Sequence, residues 1–194
     1  PDGTLYRSEI VPTVIAWLNG CILVGEGASQ MKYQLKKGKN IWYSFKMELG
    51  EDLGAKYYDS DLREVDPFRI KNPVDAARVF FAYLKYLIIK YCTENNISTD
   101  ILYAVSIPAS FEANQRKDLL DALMANDMKV SKQALIDEPN AAFISYAVSR
   151  AAEDRPMFIS PDYNSKVLVF DFGGGTCDIS ILEIGQSANG FFSK

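Results

Sequence analysis

The sequence predicts an α/β fold built around a mixed sheet. Three observations carry that prediction. Strands alternate with helices through the second half of the chain. The first quarter reads as short strands joined by tight turns. Near residue 175, two apolar strands flank three consecutive glycines, Gly173–Gly175. With 194 residues, 48% hydrophobic and 24% charged, the chain can bury a sizeable core as one domain or two small ones. Those proportions exclude disordered, collagen-like and coiled-coil classes.

The elements follow in order. Residues 10–17 and 21–24 read as strands joined at Asn19-Gly20, a hairpin signal because both residue types accept positive φ. Residues 41–45 form another strand-like run, and residues 50–72 are polar and irregular. Asn72-Pro73 opens the clearest helix, with Asn as N-cap and Pro at the first helical position. Its predicted inner face is Val74, Ala77, Phe81, Leu84, Ile88 and Tyr91, and it runs to about Asn95. Residues 101–107 read as a buried strand ended by Pro108. Residues 112–125 read as an amphipathic helix with Leu119, Leu120 and Leu123 inward. Residues 130–136 read as a strand, and 139–152 as a helix. Residues 153–165 hold Pro156, Pro161 and several charges, which marks a loop and a candidate domain boundary. The last two strands are 167–172 and 176–184.

Charge and residue usage exclude several functions. The net charge of −4 argues against a nucleic-acid binder, which is normally basic. Residues 28–49 carry five lysines against Glu48, and residues 51–66 carry six acids against Lys56 and Arg63. These runs read as solvated faces lying near each other. The absence of histidine removes Ser-His-Asp and Cys-His triads and any imidazole acid or base. Cys21, Cys92 and Cys177 are far apart and form no C-x-x-C, which fits a reducing, cytoplasmic compartment. The most apolar region, 79–92, is interrupted by Lys85 and Lys90, so no membrane span is expected. The chain opens on Pro1-Asp2-Gly3 without a methionine, which reads as a fragment or a processed start.

The stretch from Val167 to Leu182 carries the chemistry. Each strand brings one aspartate, Asp171 and Asp178, to the glycine turn. Three glycines let successive N–H groups close around an anion, and Thr176 adds a hydroxyl. Two carboxylates beside a phosphate repel it unless a divalent cation lies between them, and Mg²⁺, held mostly through water, fills that role. This is not a Walker loop, since the glycines join two strands and no G-x-x-x-x-G-K is present. The plainer alternative is a hairpin with a glycine-rich turn and surface acids.

Asp171 through Asp178, with Gly173-Gly174-Gly175-Thr176 between them, resembles the second phosphate-binding hairpin of the actin-like ATPase superfamily. That superfamily includes DnaK-type heat-shock chaperones, actins, bacterial actin-like filament proteins and sugar kinases. Three further segments resemble the chaperones in the family's order: Ile107-Pro108-Ala109-Ser110-Phe111 leading to Gln115-Arg116, Ile136-Asp137-Glu138-Pro139-Asn140-Ala141-Ala142, and Asn40 through Lys46 to Gly50. Thr13 and Val24-Gly25-Glu26 also resemble chaperone turns, so the resemblance covers nearly the whole chain.

The resemblance implies a ribonuclease H-like lobe I with its smaller outer subdomain, plus the first hairpin of lobe II. The inner part of lobe I, incomplete here, is expected at 1–13 and 91–160, the outer subdomain at 14–90, and the start of lobe II at 161–194. It implies Mg-dependent binding and hydrolysis of ATP to ADP, coupled to unfolded-peptide binding by a domain outside this chain. Partners implied are a J-domain co-chaperone and a nucleotide-exchange factor, with neither nucleic acid nor membrane.

Among single residues, Lys46 matches the lysine that reaches the γ-phosphate and attacking water, though it also reads as one more member of the lysine-rich face. Glu138 matches a glutamate that orients water and magnesium, and reads equally as a helix-start acid. Asp171 and Asp178 match the carboxylates around Mg²⁺ and the nucleophilic water, and Thr176 the hydroxyl near the γ-phosphate. Gly173, Gly174 and Gly175 match the phosphate-binding turn. Pro108 and Arg116 match residues that couple nucleotide state to the substrate domain, and read alternatively as a strand terminator and a solvated helix residue.

Met47, Glu48, Asn140 and Phe143 depart from the chaperone pattern, which marks a divergent member. The family's first phosphate hairpin and adenosine-binding segment are not in these residues, so weak or absent ATP binding is expected of the 194 residues alone. The alternatives are an actin-like filament protein, which usually lacks the Lys46 segment, and a chaperone-related partner that does not hydrolyse. A sugar kinase fits least.

Overall fold

The computed structural model describes residues 10–131, 134–153, 165–172, 177–187 and 190–193. The backbone packs as two compact units, drawn from Pro1–Tyr103 with Glu112–Val130, and from Ala104–Phe111 with Ser131–Lys194.

The first unit opens with β1 (Val14–Leu18), β2 (Cys21–Val24) and β3 (Ile41–Tyr43), an antiparallel sheet in the order β2-β1-β3. Asn19 and Gly20 both take positive φ, 51° and 76°, the geometry that matches the twist of a two-residue hairpin. A short helix, α1 (Glu26–Ser29), follows Gly25. Val14, Ala16, Ala28 and Ile41 form the core of this sheet. The strand expected over 41–45 ends at Tyr43, because Ser44 turns left-handed and starts a 3₁₀ turn over Phe45–Glu48. A second 3₁₀ turn, Gly54–Tyr57, lies in the stretch read as irregular.

The lysine-rich and acid-rich runs do meet. Lys36 approaches Asp59 at 3.6 Å, both well exposed, and Lys39 approaches Asp61 at 3.9 Å, both partly exposed, so each pair contributes little. Glu48 departs from that solvated picture. It is buried and accepts hydrogen bonds from Lys37, Lys56 and Tyr57.

The long helix α2 (Pro73–Glu94) starts where the sequence places it, with Asn72 Oδ1 accepting from the Asp75 amide at 2.8 Å. Its buried face differs from the expected one. Ala76, Ala77, Val79, Phe80 and Cys92 are buried, whereas Tyr91 is 60% exposed. The burial turns toward Phe80, which meets Phe45 edge-on at 6.1 Å between ring centroids. Apolar side chains surround α2 so widely that spacing alone did not choose the face.

Helix α3 (Ala113–Met124) packs on α2 with Leu119, Ala122 and Leu123 buried and Leu120 half-buried. Gln115 Oε1 accepts from the Glu112 amide at 2.9 Å and closes its first turn. Its far end is tied to α2 by Lys85 Nζ donating to the Asn126 carbonyl at 2.6 Å and Asn126 Nδ2 donating to the Arg78 carbonyl at 2.9 Å.

In the second unit, β4 (Val105–Ile107) lies parallel to β5 (Leu135–Asp137), with Ile107 opposite Asp137. Both are shorter than the runs read at 101–107 and 130–136, since each strand extends only as far as the other pairs with it. Helix α4 (Glu138–Ala152) begins directly after β5, one residue earlier than expected. Strands β6 (Ser165–Phe172), β7 (Cys177–Ser187) and β8 (Gly190–Ser193) form an antiparallel sheet in that order. β7 outruns its predicted end at Ile184, and β8 adds a strand beyond the predicted ones.

Phe143 of α4 packs with Leu182 and Ile184, flanked by Val167 and Val169. The opposite face of the hairpin exposes Leu168, Phe170, Ile179 and Ile181. No helix among the described residues is long and apolar enough to cross a membrane.

Candidate phosphate and cation site

The period-2 geometry of β6 and β7 assembles the site. Residues 167, 169 and 171 of β6 share a face with 182, 180 and 178 of β7, because Val167 pairs with Leu182, Val169 with Ser180 and Asp171 with Asp178. The inner end of that face is apolar and packs on Phe143. Its outer end is carboxylate. Asp171 and Asp178 stand directly opposite each other, an arrangement that is destabilising for like charges.

These two aspartates line a cavity of about 250 Å³ within the second unit. Glu138 and Pro139, at the start of α4, line it too, as do Pro108, Ala109 and Ser110 just after β4. Short strands explain the convergence. β4 and β5 are parallel, so the chain leaving each arrives at the same sheet end. Pro108 is buried, Glu138 and Asp178 are half-buried, and Asp171 is exposed. The cavity therefore gathers three carboxylates, Glu138, Asp171 and Asp178, with Pro108.

Among the described residues, no group of three or more acidic or thiol side chains is close enough to grip a metal ion directly. A cavity of this size holds several waters, each occupying about 30 Å³. The donor set fits a hydrated divalent ion held through its water shell, the manner in which Mg²⁺ is commonly bound.

The other predicted residues fall elsewhere. Gly173, Gly174, Gly175 and Thr176 lie outside the described residues. Lys46 and Arg116 belong to the first unit. Lys46 is exposed on the Phe45–Glu48 turn, and Arg116 is half-buried in the first turn of α3, its amide donating to the Glu112 carbonyl at 3.0 Å. Sequence reading missed Ser110, Ala142 and Ser180, which also line the cavity. Strand alternation from Asp178 was a usable signal for Ser180. Ala142 lies one turn after Glu138, inside the Ile136–Ala142 segment that resembles the chaperones, without being singled out there as a site residue. A larger groove of about 710 Å³, bordered by Tyr86 and Ile89 of α2 and by Asn126, holds none of the predicted residues.

The segments that build this cavity match known proteins as a set. The Hsp70 protein family profile aligns with residues 6–193. The chain belongs to the Hsp70 family. It is 30% identical over 196 residues to the chaperone protein DnaK of Thermotoga petrophila, across 96% of this chain and 28% of that protein. It is 30% identical over 193 residues to DnaK of Mycoplasma mobile, across 99% of this chain and 26% of that protein. It is 28% identical over 199 residues to a heat shock cognate HSP70 protein of Trypanosoma brucei brucei, across 91% of this chain and 27% of that protein. The chain thus spans about a quarter of the length of the curated relatives it matches. The Hsp70 family carries the actin-like ATPase fold, and the mixed α/β architecture agrees with it. Membership sets the chain with the chaperones rather than with the filament proteins or sugar kinases.

Proposed function

We propose that this Hsp70-family chain is part of a chaperone ATPase domain that binds ATP and ADP with Mg²⁺ and hydrolyses ATP. The observation that carries the reading is the cross-strand pair Asp171 and Asp178, facing Glu138 and Pro108 across one cavity. A directly opposed like-charged pair is mildly destabilising, and a bound cation would relieve it. Mg²⁺, when bound, supplies neutralisation of phosphate charge and ordering of water.

In this reading Asp171, Asp178 and Glu138 would hold Mg²⁺ through its water shell. Asp171, Asp178 and Glu138 would also orient the attacking water. The amides of Gly173, Gly174 and Gly175 and the hydroxyl of Thr176 hold the phosphates. Lys46 meets the negative charge that develops during transfer, a task suited to its compact ammonium. Phosphoryl transfer needs positioning and charge neutralisation more than covalent help, and a chain without histidine supplies both.

Residues 1–13 and 91–160 would be the inner part of lobe I, 14–90 its outer subdomain, and 161–194 the start of lobe II. Pro108 and Arg116 would pass the nucleotide state to a peptide-binding domain, with a J-domain co-chaperone and an exchange factor as partners in the cytoplasm. Calorimetry of the intact protein tests the binding half of the reading. Mg·ATP should bind, and Glu138→Gln with Asp171→Asn should weaken the magnesium dependence of binding. Equal affinity in magnesium and in EDTA for the wild-type protein would overturn it.

A further inference from the structure

Lys46 sits on a turn that is pinned from several sides. Phe45 and Leu49 are buried, and Phe45 packs edge-on against Phe80 of α2. Four residues after Lys46, Gly50 is held at both of its backbone groups by one helix. Its amide donates to Asp118 Oδ2 at 2.8 Å, and its carbonyl accepts from Asn114 Nδ2 at 2.9 Å. Both partners lie on α3, 64 and 68 residues further along the chain.

The clamp is close enough to dictate the residue. Gly50 has φ of +79°, and a Cβ there would stand 2.7 Å from Asn114 Nδ2 and 2.8 Å from Gln115 Cγ. Apolar anchors such as Phe45 and Leu49 fix where a turn sits but resist its rotation weakly. Bonds to the N–H and the C=O of one residue fix the peptide planes on either side of it. The Asp118 bond is also charge-assisted, the stronger kind.

We infer that Asn114 and Asp118 are positioning residues for Lys46. They clamp Gly50, fix the turn that presents the lysine, and tie that turn to the helix carrying Arg116. A displacement at the start of α3 then reaches Lys46 through two hydrogen bonds, so the same clamp makes the lysine's position responsive to that helix. This inference rests on the hydrolytic role of Lys46 proposed above.

The test is single-turnover ATP hydrolysis and Mg·ATP affinity in the intact protein for Asp118→Ala, Asn114→Ala, Asp118→Asn and Lys46→Ala. Small misplacements of a catalytic group are expensive, so Asp118→Ala and Asn114→Ala should each lower the hydrolysis rate about tenfold with affinity held within about twofold. Asp118→Asn keeps an acceptor oxygen at the bond and should recover most of the rate. If Lys46→Ala loses activity while Asp118→Ala keeps the wild-type rate, the clamp inference falls and the functional reading stands. If Asp118→Ala and Asp118→Asn lose rate, affinity and melting temperature together, Asp118 is only structural and the inference falls. If Lys46→Ala hydrolyses at the wild-type rate, the role of Lys46 falls and the inference with it.

Discussion

The Tyr57 hydroxyl donates to Glu48 Oε2 at 2.6 Å in the interior of the first unit. Lys37 Nζ donates to the other carboxylate oxygen at 3.0 Å, and Lys56 Nζ donates to it as well. Removing one partner from a buried pair typically costs about 3–5 kcal/mol when the other charge is stranded. Here Lys37 and Lys56 are 30% and 42% exposed, so water reaches them. The stranded group is the Tyr57 hydroxyl, and an unsatisfied buried donor costs about 1–3 kcal/mol. Glu48→Ala should therefore lower unfolding free energy by about 1–3 kcal/mol, measured by denaturant titration.

The same carboxylate gives a pH signature. Burial pushes the Glu48 carboxyl up, but the bonds from Lys56, Tyr57 and Lys37 outweigh burial and hold it below its ordinary 4.5. Burial and the Glu48 charge push the Tyr57 hydroxyl in the other direction, well up. A depressed carboxyl adds stability that is fully present above the unfolded value and is lost as pH falls through the folded one. The stability gap between wild type and Glu48→Gln should be constant above about pH 5 and close as pH falls below 4.5. Denaturation curves from pH 3 to 7 check this, and a gap that widens in acid contradicts it.

Gly50 tolerates a side chain only with strain and with displacement of its neighbours. A left-handed backbone costs an ordinary residue about 1–2 kcal/mol, and a Cβ would also press on Asn114. Gly50→Ala should destabilise by about 2–4 kcal/mol. By contrast Gly20→Ala meets nothing within 4 Å, so only its φ of +76° resists, and about 1–2 kcal/mol is expected. Paired thermal melts read the difference.

Asp171 and Asp178 are paired directly across the hairpin, where like charges are destabilising. A directly opposed like-charged pair costs about 0.2–1 kcal/mol. In EDTA, Asp178→Asn should raise the stability of the intact protein by up to that amount. In millimolar Mg²⁺ the wild type should gain stability and the variant should gain less. Calorimetric scans in the two buffers make the comparison, and an identical magnesium response in both proteins would contradict it.

Much of the architecture was legible because local chemistry agreed with it. Asn19-Gly20, Asn72-Pro73 and the apolar runs at 167–172 and 176–184 each named an element that forms. The inner face of α2 was not legible, since Phe80 and Phe81 are adjacent and tertiary packing, including the Phe45 ring against Phe80, buries the first. β8 was invisible because a four-residue strand of Gly-Phe-Phe-Ser exists only by pairing with β7. In the site, residue types and spacing singled out Asp171, Asp178 and Glu138. The Gly50 clamp stayed hidden because its partners are separated by more than sixty residues and match no motif.

Single-turnover hydrolysis of Mg·ATP by the intact protein, wild type against Asp171→Asn, tests the central claim most directly. Loss of one group that stabilises a transition state commonly costs about 10²–10³ in rate. The wild type should hydrolyse bound ATP, and Asp171→Asn should be slower by about that factor while still binding nucleotide. A wild type that binds Mg·ATP without turnover, or an Asp171→Asn protein that matches its rate, would contradict the account.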